Sequence, residues 1–348
     1  MRHGLTLVLA LTAAACGGTP SSSLTGDAGL SDAAPPEPPP DAMPPPPPRV
    51  RFVAMGDTGE GNPDQRRVAV AIRDLCAARG CDFVLLLGDN IYDEGVSSLD
   101  DPQWQTKFEE PYRDIDLPFQ TALGNHDYGG RLLFPIPGLG NEFTKSDFEV
   151  MYSERSRKWI MPSQHYTFSY GHVGFIVLDT NSLMWADTSH GDQREWWPTA
   201  LMELQGKEWL FVVGHHPYRS NGSHGNAGSY DAPELGGVPL PNPIPQLNGT
   251  SLKQFFDEVV CGTGDVYLCG HDHSRQWLDA PDALCGTELI VSGAGSKVTN
   301  LRDHDNRSYY EDASEVGFLY VDIEGKRMTG GFYDADGNLD FERIIEHP

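Results

Sequence analysis

Positive charge is what this chain has least of. Over 348 residues, 25 Lys and Arg stand against 50 Asp and Glu, a formal net charge of −25. That deficit argues against a nucleic-acid polymer as partner, because phosphate backbones are gripped by clusters of Lys and Arg. It argues equally against electrostatic docking on anionic lipid headgroups. It leaves a small anionic substrate open, because a bound metal can reverse the local field. Long apolar runs are missing too: the stretch Leu5–Ala15 falls short of the about 20 residues a membrane-spanning helix takes. Cysteine is sparse, at six residues, a number that fits an exported protein. Cys76 and Cys81 flank a helix-to-strand turn, close enough for a local disulfide. Cys261 and Cys285 could bracket the strand between them, leaving Cys269 free and buried, although sequence does not fix the connectivity. What the chain does have is 39% hydrophobic and 10% aromatic residues, enough for a packed core.

The N-terminus reads as an export signal. Arg2 precedes the apolar stretch, and Ala13-Ala14-Ala15 precede Cys16. Residues 1–15 are the expected signal peptide. Cys16 stands where a bacterial lipoprotein carries its lipid, which would anchor the chain to the cell envelope. The alternative is ordinary cleavage nearby and release into the periplasm or medium. Residues 16–48 form a linker, mostly proline from Pro35 to Pro48, which favours an extended, stiff spacer. The catalytic domain is expected over 49–348, with no internal repeat and no second linker.

Within that domain strands alternate with helices, and one pattern recurs five times. A short β-type run ends in Gly, and polar metal-type ligands follow at once. Arg49–Ala54 leads to Gly56-Asp57-Thr58-Gly59. Asp82–Leu87 leads to Gly88-Asp89-Asn90-Ile91-Tyr92. Leu117–Leu123 leads to Gly124-Asn125-His126-Asp127. Trp209–Val213 leads to Gly214-His215-His216-Pro217, and Val266–Cys269 to Gly270-His271-Asp272-His273. Between the first two, Asn62-Pro63 reads as a helix N-cap and first turn, followed by Val68, Ala71, Ile72 and Leu75 at helical spacing. In α/β sheets, sites form at the carboxyl ends of strands. Glycine there allows a sharp turn and close backbone approach. Any one block alone reads as a turn; five in order after five strands predict donors converging on one point.

These blocks resemble the purple acid phosphatases, within the calcineurin-like metallophosphoesterases, and the short tartrate-resistant type above all. The resemblance spans about residues 50–300. The wider superfamily usually has Asp-x-His in the first block. Here that position is Gly59, and Tyr92 stands three residues after Asp89, the mark of the purple branch. The resemblance implies an α/β fold with two stacked mixed β-sheets flanked by helices. It implies a binuclear centre: Asp57, Asp89, Tyr92 and His273 on one metal, and Asp89, Asn125, His215 and His271 on the other. The oxygen-rich first set suits Fe(III); the second suits Zn, Fe(II) or Mn. A metal-bound hydroxide would attack phosphorus, with activity in mild acid. His126 and His224 would face the substrate and assist the leaving group.

The implied activity is hydrolysis of phosphate monoesters outside the cytoplasm. The rivals are a phosphodiesterase or nucleotide-cleaving enzyme on the same metals, and a non-catalytic envelope lipoprotein that binds metal. His216 reads as a structural neighbour, and His165, His172, His190, His304 and His347 as ordinary. Asp127, Asp272 and Asn90 are either supports for ligand side chains or turn caps. Trp185, Trp196 and Trp197 are core residues or a lid near the site mouth. Ser292–Ser296 reads as another strand end bordering the site, and Gly317–Asp340 as two or three strands with a turn at Asp336-Gly337. Asn-x-Ser/Thr sequons begin at Asn221, Asn248 and Asn306; on a bacterially exported chain they are expected to stay bare.

Overall fold

In a computed structural model, residues 47–130, 137–230, 234–235, 238–239 and 244–347 are described. The expectations for the signal, Cys16 and nearly all of the linker lie outside the described residues. The strands are β1 (Arg49–Met55), β2 (Phe83–Leu87), β3 (Phe119–Ala122), β4 (Trp159–Ile160), β5 (Tyr166–Tyr170), β6 (Val173–Val177), β7 (Trp209–Val213), β8 (Glu234–Leu235), β9 (Val238–Pro239), β10 (Val266–Cys269), β11 (Arg275–Leu278), β12 (Glu288–Ser292), β13 (Ser308–Asp312), β14 (Gly317–Glu324), β15 (Arg327–Asp334) and β16 (Leu339–Glu346). The helices are α1 (Pro63–Arg79), α2 (Ser146–Tyr152), α3 (Thr180–Trp185), α4 (Gln193–Glu203), α5 (Pro245–Asn248) and α6 (Thr250–Phe255).

Two seven-stranded sheets result, in the orders β16-β15-β14-β1-β2-β3-β4 and β13-β11-β12-β10-β7-β6-β5. Both are mixed. β1 to β4 run parallel in the first sheet, as do β6, β7, β10 and β12 in the second. The expected pair of stacked mixed sheets is therefore present.

The parallel strands are buried on both faces, which is why they read as unbroken apolar runs. Along β7, Trp209, Phe211 and Val213 enter the core shared with the first sheet, while Leu210 and Val212 face the helices behind. β10 divides likewise, with Val266 and Leu268 on one side and Tyr267 and Cys269 on the other. Phe52 of β1 meets Phe175 and Phe211 edge-on, at centroid distances of 5.5 and 5.6 Å. Such rings bury large area, and each pair adds about 0.5–1.5 kcal/mol beyond it. On the outer face of the second sheet, Met184 of α3, Trp197 of α4 and Leu252 and Phe255 of α6 complete a second cluster.

Local chemistry sets the boundaries. The Asn62 side chain accepts from the Gln65 amide (2.8 Å), and Pro63 occupies the first turn of α1. The C-terminal region makes three antiparallel strands, the upper of the two counts expected, and β14 pairs with β1 to complete the first sheet. Asp334 holds the β15–β16 turn by accepting from the Asp336 and Asn338 amides. Cys76–Cys81 and Cys261–Cys285 are disulfides, and Cys269 is free and buried. Among the described residues no helix is long and apolar enough to cross a membrane.

Candidate metal centre

The ends of β1 and β12 are laced together across the two sheets. The Gly56 amide donates to Ser292 O (2.7 Å), Ser292 Oγ to Ala54 O (2.9 Å), and the Gly295 amide to Gly56 O (3.1 Å). The five blocks therefore meet at one edge. Tyr92 Oη lies 2.9 Å from Asp57 Oδ1, 2.9 Å from Asp89 Oδ2 and 3.3 Å from His273 Nε2. Beside this group, His215 Nε2 lies 3.1 Å from Asn125 Oδ1, 3.1 Å from His271 Nδ1 and 3.3 Å from Asp89 Oδ2. Asp89 belongs to both groups. All seven residues expected from the sequence as donors are thus brought together, in the two sets the resemblance implied.

The donor chemistry fits a cation in each group. His215 Nδ1 donates to Leu87 O (2.8 Å), so its Nε2 carries a lone pair in the neutral ring. That lone pair faces an amide oxygen, a carboxylate and another imidazole nitrogen. Acceptors aimed at acceptors in a buried site need positive charge between them. A proton on His215, which burial opposes but the adjacent Asp89 carboxylate favours up to about 9, meets the same need for positive charge, and a cation would take its place. Burial likewise opposes the Asp89 anion, but His215 and His126 outweigh it and hold its carboxyl well below the usual range. In the first group, burial and then the Asp57 and Asp89 carboxylates push the Tyr92 phenol well above its ordinary value. A phenolate there calls for a strong cation.

The backbone of the site is strained where the donors sit. Asp57, Asp89 and His271 have φ of 59°, 52° and 69°, left-handed values that side chains with a Cβ adopt at a cost. This revises the sequence reading of the glycines. Of the five leading glycines only Gly88 has positive φ, at 88°; in the first, second and fifth blocks the sharp turn falls on the donor itself. The glycines serve close approach. A Cβ on Gly124 would lie 2.2 Å from Asp89 Oδ1, and one on Gly270 would lie 2.5 Å from Asp57 Oδ2.

The calcineurin-like phosphoesterase model matches residues 50–275. The chain belongs to this family. Tartrate-resistant acid phosphatase type 5 of Homo sapiens is 28% identical over 330 residues, covering 84% of this chain and 90% of the human protein. Purple acid phosphatase 3 of Arabidopsis thaliana is 29% identical over 308 residues, covering 83% and 76%. Two solved structures share the fold. Plasmodium GAP50, described as the anchor in the inner membrane complex, aligns with TM-score 0.63 at 20% identity, covering 86% of this chain and 89% of that one. Purple acid phosphatase PPD1 from yellow lupin seeds aligns with TM-score 0.58 at 16% identity, covering 86% and 54%. This calcineurin-like phosphoesterase is therefore purple-acid-phosphatase-like, a hydrolase of phosphoesters.

Around the phosphoesterase centre the remaining expectations divide. His126 and His224 both line a cavity of about 570 Å³ that also reaches Asn125 and His271. His126 Nδ1 donates to Asp93 O (2.7 Å), and the His224 ring stacks on His271 with centroids 3.9 Å apart. His216 is buried against Thr180 Oγ1 (2.9 Å), with burial holding it neutral, in keeping with a structural neighbour. Asp127 and Asp272 settle as caps. Asp127 accepts from the amides of Asn90, Ile91 and Gly124. Asp272 accepts from the His224 amide (2.7 Å), the Gly225 amide and Ser223 Oγ. Asn90 donates to Ala122 O and Asp127. Ser296 Oγ donates to Asp57 O (2.5 Å), so the Ser292–Ser296 turn borders the site as expected.

The tryptophans part company. Trp185 lines the cavity, whereas Trp197 is buried in the helix-side core and Trp196 packs on His165. The Asn221 amide is buried, donating to Asn306 O and Glu311, which leaves no room for a glycan. Several functional neighbours were not legible. Lys297 Nζ sits 3.3 Å from the Tyr92 ring centroid and pairs with Glu60. Lys107 Nζ donates to Tyr92 O. Glu149 lies behind Asn90, its acid raised by burial and by Asp127. His304, which looks ordinary in sequence, donates to Gly222 O (2.9 Å) and steadies the His224 loop. Lys297 follows the SGAGS strand end directly, the one cue that could have drawn attention to it.

Proposed function

We propose that the chain is an exported acid phosphatase that hydrolyses phosphate monoesters at a binuclear metal centre. The observation that carries this reading is the convergence of Asp57, Asp89, Tyr92, Asn125, His215, His271 and His273 beside a cavity lined by His126 and His224. Asp57, Asp89, Tyr92 and His273 would hold Fe(III); Asp89, Asn125, His215 and His271 would hold Zn, Fe(II) or Mn. When bound, such a pair supplies an activated water at mildly acid pH and charge to neutralise the phosphoryl group.

The residues of the chain do the rest. Asp93 O accepts from His126 Nδ1 and fixes the ring, so that in the imidazolium form its Nε2–H can donate to a phosphoryl oxygen or protonate the leaving oxygen. Asp272 and His304 fix the loop that presents His224 over His271. Asp89 spans both groups, which keeps them adjacent. Storage or anchoring of metal needs neither histidine. Residues 1–15 act as the export signal, Cys16 as a lipid anchor to the envelope, and residues 16–48 as the spacer ahead of the 49–348 catalytic domain. The two disulfides suit an oxidising compartment. The partner is a small phosphoester, not a nucleic-acid polymer, and membrane contact runs only through the lipid.

Metal content and absorption spectrum of the purified protein, with rates on a chromogenic monoester and diester across pH, test this. Two metals per chain and faster monoester turnover below neutral pH are expected. Faster diester turnover, or an optimum clearly above neutral, refutes the acid monoesterase reading.

A further inference from the structure

A positive side chain lies against the first donor group. Lys297 Nζ stands 3.3 Å from the centroid of the Tyr92 ring and donates to Glu60 Oε1 at 2.7 Å. Tyr92 is buried, whereas the Lys297 and Glu60 side chains are partly exposed. The site itself holds Lys297 in place. On one side of it, Ser296 Oγ donates to Asp57 O, and Asn62 Nδ2 donates to Ser296 O. On the other, the Thr299 amide donates to His273 O, and Thr299 Oγ1 lies 2.8 Å from His273 Nδ1. Glu60 follows Gly59, whose carbonyl accepts from the Tyr92 amide at 3.0 Å. Lys297 is thus carried on a segment fastened to Asp57 and His273, two of the residues grouped with Tyr92.

Resting on the reading above that Tyr92 holds Fe(III), we propose that Lys297 is a positioning residue that acts through Tyr92: its charge on the ring weakens the phenolate as an electron donor and leaves the iron a stronger Lewis acid. Asp57 and Asp89 each lie 2.9 Å from Tyr92 Oη, and their charge pushes electrons toward the metal. The ammonium group on the ring opposes them, since a cation is attracted to the electrons of an aromatic face. Nζ lies on the ring, whereas the metal would lie beyond Oη, among Asp57, Asp89 and His273. The charge therefore stabilises the phenolate electrons more than those of the metal.

The test is the phenolate-to-iron absorption band of the iron-loaded protein in wild type, Lys297→Gln, Lys297→Arg and Glu60→Gln. That band moves an electron from the ring to the iron, and a cation on the ring holds the electron back. Lys297→Gln should therefore shift the maximum to longer wavelength by roughly 5–20 nm, the visible-light equivalent of one cation–π contact. In a redox titration its iron should also be harder to reduce. Lys297→Arg keeps the charge and should stay near wild type. Glu60→Gln leaves an acceptor for Lys297 but removes the opposing charge, so its maximum should move to shorter wavelength. Metal analysis and circular dichroism on the same samples establish iron content and folding. An unchanged maximum in folded, iron-loaded Lys297→Gln overturns the proposal. So does a shift of the same sign in Lys297→Gln and Glu60→Gln, which marks a disturbed site and not a lost charge. If Lys297→Gln does not fold, Glu60→Gln decides alone, and a maximum that fails to move to shorter wavelength overturns the proposal. Iron-loaded wild type without a visible band overturns instead the Fe(III)–Tyr92 reading, a different result from a band that Lys297 does not move.

Discussion

Asp272 sits between two candidate donor histidines in sequence, yet its side chain points at a loop. That makes Asp272→Ala a sharp test of how His224 is held. The carboxylate is fully buried and accepts from the His224 amide at 2.7 Å, the Gly225 amide at 3.3 Å and Ser223 Oγ at 3.4 Å. Only the first is short, so one strong and two weak bonds are lost. A hydrogen bond to a charged acceptor contributes about 1.5–3 kcal/mol, and the orphaned buried amide adds its own desolvation cost. The net destabilisation should be about 3 kcal/mol. For about 300 ordered residues, that lowers Tm by about 5 °C. Asp272→Asn keeps an acceptor for the His224 amide and should lose less than half as much. Freed from its anchor, His224 should leave its stack on His271, and kcat should fall by about tenfold or more, up to the 10²–10⁴ that losing an acid–base group outright costs. Metal content should stay at the wild-type level in both variants. Thermal melts, steady-state rates and metal analysis on the same preparations decide it. Loss of metal, with rate tracking occupancy, would show that Asp272 supports the neighbouring ligands instead of the loop.

Four further outcomes are expected. Tyr92→Phe should abolish a visible phenolate-to-iron band, and wild type with bound iron that shows no such band would sink the Fe(III)–Tyr92 assignment. His126→Ala should keep both metals while losing about 10²–10⁴ in rate; loss of metal would make His126 a ligand. His165 is held neutral by burial, and secondarily by His190, so its value drops to about 4. The unfolded chain therefore takes up that proton first, and stability is full above about pH 6.5 and lost as pH falls toward about 4, by about 2 kcal/mol given the ring's partial exposure. His165→Gln should flatten the fall in Tm over that window, and an unchanged slope would show that the ring does not titrate there. Buried Arg275 ties β11 to Asp312 (2.7 Å) and Asp340 (2.6 Å), and Arg275→Met should cost about 1–2 kcal/mol, less than a fully buried pair because both carboxylates keep access to water; a denaturant midpoint unchanged from wild type would contradict this.

Much of the fold was legible because its central strands are buried on both faces and leave unbroken apolar runs, as in the DFVLLL and WLFVV segments. Edge and antiparallel strands were harder. β13 alternates between half-buried and exposed along its length, and nothing in its local composition separates it from a loop. The donors were legible because each follows a strand end directly. The residues that support them were not, because their partners are distant in sequence. Lys297 reaches Tyr92 across 205 positions, Glu149 reaches Asn90 across 59, and His304 reaches Gly222 across 82. Asp127 and Asp272 were ambiguous for the opposite reason: they lie inside ligand blocks, and only the direction of the side chain distinguishes a cap from a ligand support.

The recurring glycine has a tertiary cause that the strand-end reading missed. Gly124 leaves room for Asp89, which belongs to another block, since a Cβ there would lie 2.2 Å from Asp89 Oδ1. Gly270 leaves room for Asp57 in the same way, at 2.5 Å, and Gly88 leaves room for His215, at 2.6 Å. Each glycine thus protects a donor supplied by a different strand, and the blocks interlock. The torsional strain falls on the donors, with Asp57, Asp89 and His271 all left-handed. Each such residue costs about 1–3 kcal/mol, which persists only where the surroundings over-determine it. Strain in three donors, two buried carboxylates and a phenol aimed at both would be a poor use of stability in a structural core. The same features are what a pair of cations needs: fixed oxygen and nitrogen donors, close together and shielded from water. This is also how a chain with net charge −25 can present a field that attracts phosphate, because the acidic groups at the site would be offset by the cations.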